Sequence, residues 1–156
     1  MVGVTLAGGA LCASLSGCYS LAPLLHDPPQ PPGTPQVVTD DRLVGTWQDE
    51  AGGRLTLAAN GVFAAAGICG DFTSSADDTF GASAASSRTG TGTWETMTGE
   101  RLDESTPGTE VTVWFSGTER FGAYAVGGTS TAPKLWVYRG DPDDYDLCVL
   151  TRPPPP

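Results

Sequence analysis

The sequence predicts an all-β domain, either an antiparallel meander barrel of about eight strands or a small sandwich. Apolar and polar residues alternate on both sides of Asn60-Gly61, a dipeptide typical of a two-residue hairpin turn. Short strand-like segments recur at regular spacing between breaks rich in Gly, Ser, Asp or Pro. No stretch has a helical hydrophobic period long enough to favour a helix over a strand. With no helices to cover an open sheet, closure of the sheet is the expected way to hide strand edges.

An uncharged apolar run at the N-terminus ends with Leu15-Ser16-Gly17-Cys18. This tetrad resembles the lipobox of bacterial prolipoproteins, in which diacylglycerol is attached to the Cys sulfur and the chain is cleaved just before it. The resemblance implies a signal peptide over 1–17 and lipidation at Cys18, so that palmitate would label the protein. It also implies a mature protein anchored by lipid at the extracytoplasmic face of the cell membrane. The alternative is a buried N-terminal helix or strand, since the run is short for a membrane span.

The segment from Cys18 to residue 38 is expected to be a tether. Its six prolines fix φ and remove backbone donors; they are Pro23, Pro28, Pro29, Pro31, Pro32 and Pro35. We therefore expect extended conformers without helix or sheet pairing, which would hold the domain off the membrane. Residues 153–156 are expected to be a disordered tail. The remaining span, 39–152, is long enough for one domain with one core.

Within 39–152 the clearest element is the hairpin of segments 54–59 and 62–66 around Asn60-Gly61. A turn of 3₁₀ helix is possible over 40–43, before the first strand. Eight segments in all have strand character; they are 43–48, 54–59, 62–66, 92–97, 111–115, 121–126, 134–138 and 147–151. The segment 70–89, rich in Ser, Ala, Thr and Asp, is expected to be a solvated loop rather than a functional one.

Two segments carry a Gly-x-Trp pattern, one ending at Trp47 and the other at Trp94. Together with Leu55-Thr56-Leu57 and Asn60-Gly61-Val62-Phe63, they resemble lipocalin-like bacterial lipoproteins over about residues 45–97. In such small barrels the early Trp plugs the closed end. The resemblance implies a lipocalin-like barrel in which Trp47 is buried with its indole N–H bonded to a polar partner. We favour core packing over ligand contact for both Trp residues.

Cys69 and Cys148 are predicted to form a disulfide. Cys12 lies in the leader and a lipidated Cys18 is a thioether, which leaves an even pair in a compartment that permits disulfides. In a closed meander the last strand pairs with the first, which brings Cys148 near the early part of the sheet. Two independent buried thiols are the alternative. A metal site is disfavoured because two Cys without a nearby His do not supply a closed tetrahedral set.

The acidic segment 140–146 is a candidate Ca²⁺ site. Its possible ligands are the carboxylates of Asp141, Asp143, Asp144 and Asp146. Ca²⁺ takes six to eight oxygen ligands, but the spacing differs from that of an EF-hand. We favour the alternative, a polar turn whose Asp side chains accept hydrogen bonds from backbone amides.

Composition argues against two classes of function. The net charge of −10 leaves no basic footprint, so nucleic acid is not expected as a partner. The single His, His26, lies in the expected tether, so Ser–His and Cys–His nucleophile pairs are not available. We therefore expect neither enzymatic activity nor a cofactor.

Two functions remain open, and we favour the first. The first is a small-ligand-binding module that takes an apolar or amphipathic ligand. Its candidate contact residues are Phe63, Trp114, Tyr124, Trp136 and Tyr138. The second is a structural or interaction lipoprotein of the cell envelope, whose barrel is filled by its own side chains and whose surface binds another envelope protein. A cavity lined by these aromatics favours the first function, and a packed interior with exposed aromatics favours the second.

Overall fold

The computed structural model describes residues 29–74, 85–99, 106–144 and 146–154. In it, eight antiparallel strands close into one barrel in sequence order, which confirms the predicted all-β class and meander barrel. The strands are β1 Gly45–Asp49, β2 Arg54–Leu57, β3 Val62–Ser74, β4 Ala85–Gly99, β5 Gly108–Phe115, β6 Arg120–Gly128, β7 Pro133–Tyr138 and β8 Leu147–Thr151. A one-turn helix, α1 Asp40–Leu43, precedes β1, and a 3₁₀ turn, Pro142–Asp144, lies between β7 and β8.

The barrel has a helix end and a hairpin end. The helix end carries α1, the starts of β1, β3, β5 and β7 and the ends of β2, β4, β6 and β8; the opposite ends of the strands lie at the hairpin end. At the helix end, Trp47 is 0% exposed and its indole N–H donates to the carbonyl of Leu43 at 2.9 Å. The guanidinium of Arg152 stacks 4.5 Å from the centre of the indole ring. The prediction of a buried Trp47 bonded to a backbone carbonyl is thus confirmed.

The hairpin end is closed by a second pairing of β3. Pairing with β2 stops at Arg54 and Ala66, after which β3 adopts a positive φ of 61° at Gly67. Register shifts on either side of Ile68 mark irregularities of the kind that bend a strand. Beyond them, β3 reaches the free edge of β6 and pairs Phe72 with Gly122. The strands β3 to β6 therefore form a smaller ring across this end of the barrel.

The prediction of a loop over 70–89 is wrong at both ends of that segment. β3 continues to Ser74 and β4 begins at Ala85, while residues 75–84 lie outside the described part of the chain. The small and polar residues here have low strand propensity. Pairing with β6 outweighs that local preference, and Phe72 is fully buried as a result.

Side chains occupy the barrel interior. Phe115 packs edge-on against Phe63 and Phe72, with ring centroids 5.0 and 5.5 Å apart. The largest side chains that are fully buried are Trp47, Tyr124, Phe72, Leu43, Leu55, Leu57, Ile68, Leu135, Leu150, Val111, Val113 and Val126. They come from α1 and from seven of the eight strands, so one continuous core runs between the two ends.

The Pro-rich segment differs from the expected tether over residues 32–38, which lie on the barrel. The amide of Gln36 donates to Val126 at 3.0 Å, and its carbonyl accepts from the amide of Thr109 at 2.9 Å. Gln36 thereby bridges β5 and β6 beyond their last pair, Glu110 with Ala125. Prolines lose the donor but keep the carbonyl, so the segment still offers acceptors between its few amides. Residues 1–28, including the lipobox-like tetrad and the start of the expected tether, lie outside the described residues.

Within the described part of the chain, no helix has the length and apolar character needed to cross a membrane.

Candidate functional site

The five aromatic residues predicted to contact a ligand do not line one cavity. Phe63 and Tyr124 point into the filled core. Trp114 lies on the outer face of β5, 40% exposed, with its ring 4.7 Å from that of Phe121. Only Trp136 and Tyr138 are brought together, with ring centroids 5.7 Å apart.

Trp136 and Tyr138 lie beside the Pro-rich segment. Trp136 is buried. It lines a small cavity of about 30 Å³ together with Pro31 and Pro35. The hydroxyl of Tyr138 donates to the carbonyl of Pro29 at 3.3 Å. The two rings thus contribute to the docking of residues 29–35 on the barrel.

The acidic segment forms a polar turn. Asp141 accepts a hydrogen bond from the amide of Asp143 at 2.9 Å, and Asp146 pairs with the guanidinium of Arg139. The amide of Arg139 also donates to the carbonyl of Asp146 at 2.7 Å. Among the described residues, no group of three or more His, Cys, Asp or Glu is placed to hold a metal ion. The candidate Ca²⁺ ligands Asp141, Asp143, Asp144 and Asp146 are thus not grouped around one point, and Asp141 and Asp146 are held in turn contacts, as expected of the favoured polar turn.

The short junction between β1 and β8 opens into a cleft. This junction, the seam, consists of two residue pairs, Gln48 with Thr151 and Asp49 with Leu150, whereas eight pairs join β4 to β5. Past Asp49 the chain turns into β2, while β8 extends further to Leu147. The resulting opening, the seam cleft, has a volume of about 680 Å³ and includes Glu50, Ala51, Cys69, Arg139, Cys148 and Val149 in its lining.

One edge of the seam cleft is an unpaired stretch of β8. The amide of Asp49 donates to the carbonyl of Gly53, so the amide and carbonyl of Asp49 are directed toward β2. The amide and carbonyl of the preceding residue, Gln48, are therefore directed toward β8. Main-chain directions alternate along a strand, so Thr151 faces Gln48 and Val149 faces the same side. Among the described strands, none pairs with Val149 or Leu147 on this side. Their amides and carbonyls are directed toward the cleft.

A disulfide between Cys69 and Cys148 lies at the cleft and confirms the predicted pairing. It joins β3 to β8 with a Cα–Cα distance of 5.8 Å. Cys148 is 2% exposed, while Cys69 is half-buried. The bond thus links the bent part of β3 to the strand that forms one side of the seam.

A buried carboxylate fixes the backbone around the disulfide. Asp49 is 6% exposed, and its two oxygens accept from the amides of Gly53 at 2.7 Å and Cys69 at 2.8 Å. The hydroxyl of Tyr124 donates to the carbonyl of Cys69 at 2.7 Å. Burial, and secondarily the charge of Asp49, raises the pKa of Tyr124 far above its usual range. Tyr124 therefore stays a neutral donor under any physiological condition.

Sequence reasoning found the two cysteines but missed Asp49 and the cleft. It named Tyr124 as a candidate ligand contact, whereas its hydroxyl donates to the carbonyl of Cys69. A signal for Asp49 was present, because an Asp at the end of a strand just before Gly52-Gly53 is typical of a side chain that accepts turn amides. The chemistry available at this place is thiol–disulfide exchange and main-chain hydrogen bonding. Comparisons with protein-family models, with curated proteins and with solved structures found no match.

Proposed function

We propose that this protein is a lipid-anchored extracytoplasmic lipoprotein whose barrel serves as an interaction module for another envelope protein. Two features support the location. The tetrad ending at Cys18 has the lipobox pattern, and the pair Cys69–Cys148 is disulfide-bonded, as is common in oxidising compartments. The anchor would hold the domain at the membrane surface, where its outer face can meet a partner.

The filled interior is the observation that carries the interaction role. Sites for small molecules are usually cavities of about 300–1,000 Å³ that enclose most of the ligand. The seam cleft has a volume of about 680 Å³, but it is open to solvent rather than enclosed. Here Trp47 occupies the helix end, and Phe72 and Tyr124 are fully buried in the core toward the hairpin end. A ligand inside the barrel would have to displace these side chains, which favours the interaction role over the small-ligand role.

An exposed row on the outer face offers a contact surface. Strand register aligns Val62, Thr93, Trp114 and Phe121 across β3, β4, β5 and β6. Val62 and Trp114 are both exposed, and Trp114 stacks with Phe121. Aromatic residues, Trp above all, are enriched at the energetic centres of protein interfaces. We place the partner contact at this outer row.

The anchor is tested by metabolic labelling of cells that express the full chain. We expect radiolabelled palmitate in the wild type, and neither label nor cleavage at the lipobox in Cys18→Ser. A wild-type protein that is unlabelled and recovered from the cytoplasm would overturn the location.

The interaction role is tested by affinity purification after crosslinking in intact cells. We expect Trp114→Ala to lose a co-purifying envelope protein while keeping the wild-type melting temperature. Met97→Ala is the matched control, because Met97 is exposed on the same sheet but lies outside the outer row. Equal recovery from both variants would refute the outer row as the contact surface.

A further inference from the structure

We propose that the Cys69–Cys148 disulfide is a thiol–disulfide exchange site that a dithiol reduces through the seam cleft while the barrel stays folded. This inference goes beyond the anchoring and interaction roles and depends on neither.

The seam cleft gives access to the bond without unfolding. Both cysteines belong to its lining, and Cys69 retains partial exposure. A cleft of about 680 Å³ is ample for a small dithiol or for a loop of a protein dithiol. The seam itself adds little obstruction, because β1 ends at Asp49 and does not pair with the part of β8 that carries Cys148.

The unpaired edge of β8 supplies a docking element next to the reacting sulfurs. The main-chain groups of Val149 and Leu147 are directed into the cleft on either side of Cys148. An extended segment of a protein dithiol can pair with such an edge through its own main chain. The edge would then hold the attacking thiol close to the disulfide.

The reaction is a two-electron exchange in two steps. A thiolate of the dithiol attacks Sγ of Cys69, the more exposed cysteine; the Sγ–Sγ bond breaks and Cys148 leaves as a thiolate. The second thiolate of the dithiol then attacks the dithiol's first sulfur in the mixed disulfide, and Cys69 leaves as a thiolate. The dithiol ends as a disulfide, and its two thiol protons are matched by those on Cys69 and Cys148.

Reduction would loosen the barrel at a defined place. The disulfide is a covalent link between the bent part of β3 and β8, beside a seam of only two residue pairs. After reduction, Cys69 is still held by two hydrogen bonds: its backbone amide donates to the carboxylate of Asp49, and its carbonyl accepts from the hydroxyl of Tyr124. We therefore expect the reduced chain to stay folded and to open first at the seam, so the bond acts as a redox-sensitive latch.

The test is native-state reduction of the oxidised full-length chain with dithiothreitol, followed by alkylation and mass spectrometry. Direct attack through the cleft predicts a rate that is linear in dithiothreitol and insensitive to urea well below the unfolding midpoint. Hydrogen exchange after reduction should rise first at residues 147–151. A rate that saturates with dithiothreitol and rises with urea in step with global unfolding would overturn the proposal, because the bond would then be reached only in the unfolded chain.

A matched pair of variants tests the route. Ala51 is exposed at the cleft and Ala64 is exposed on the outer face of β3, away from it. We expect Ala51→Trp to slow native-state reduction about tenfold by limiting access, and Ala64→Trp to leave it unchanged. Equal rates in two folded variants would exclude the cleft as the route. If Ala51→Trp fails to fold, the dependence of the wild-type reduction rate on dithiothreitol and on urea still distinguishes native-state reduction from reduction after unfolding.

Discussion

Removal of the Cys69–Cys148 bond should destabilise the domain by a predictable amount. The bond joins residues that are 79 positions apart. In the chain-entropy model, a loop of this length contributes about 4.5 kcal/mol to the free energy of unfolding at 25 °C. That is a large share of the roughly 5–15 kcal/mol that keeps a typical domain folded.

The double variant Cys69→Ala with Cys148→Ala is the suitable perturbation. Alanine avoids a buried hydroxyl at position 148, where the side chain is almost fully covered, and the double change avoids an unpaired thiol. For a domain of this size, about 4.5 kcal/mol corresponds to a fall in melting temperature of about 15–20 °C.

Thermal and urea unfolding of the oxidised wild type and the double variant, followed by circular dichroism, measure the difference. The wild type unfolded in the presence of reductant is the internal control and should approach the variant. A loss below about 1 kcal/mol would refute the entropic reasoning. Free thiols at both positions in protein purified from the envelope would refute the pairing itself.

Three further predictions concern the core. Trp47→Ala should cost about 3–5 kcal/mol in unfolding experiments, since it empties the helix end and removes the bond to Leu43; a melting shift under a degree would contradict this. Because burial raises the pKa of Tyr124, its neutral form stabilises the fold fully below about pH 10, and each pH unit above that costs up to about 1.4 kcal/mol. Melting temperatures from pH 7 to 11 should therefore fall less steeply in Tyr124→Phe than in the wild type; parallel curves would exclude Tyr124 as the cause. Gly122→Ala should cost about 1–3 kcal/mol by denaturant titration, as a Cβ there lies 2.8 Å from the ring of Phe72; unchanged stability would argue against the β3–β6 pairing.

The parts of the fold that sequence could predict are those encoded locally. The hairpin around Asn60-Gly61 is encoded within a dozen positions, by the alternation over 54–57 and by Gly61 at a positive φ of 76°. Its predicted two-residue turn is wrong, because Ala58 pairs with Val62 and the loop has three residues, 59–61. Trp47 and the cysteine pair were predictable from a short motif and from the count of available cysteines. Each of these signals needs no knowledge of which distant strands meet.

The closure of the hairpin end could not be predicted, because it depends on long-range pairing. Residues 70–74 look like a loop, and their pairing with β4 and β6 makes them a strand. The docking of residues 32–38 was missed for a related reason, since Pro residues mark a lack of donors and give no sign of a partner for their carbonyls.

The candidate ligand residues illustrate the same limit at the level of side chains. Phe63 and Tyr124 face inward while Trp114 faces outward, and a shift of one position in a strand would reverse each of them. The seam cleft depends on where β1 stops relative to β8, a difference of a few residues that strand patterns do not define. Its chemistry became visible only once the register was known.

Native mass spectrometry of the full-length protein, purified without reductant, tests most directly whether the barrel is filled by its own side chains. A filled barrel predicts the mass of the disulfide-bonded chain with its covalent modifications and no additional non-covalent species. A small molecule retained at one copy per chain, released on unfolding and still bound in both Trp114→Ala and Ala51→Trp, would contradict the filled interior, because these two variants alter the outer row and the seam cleft.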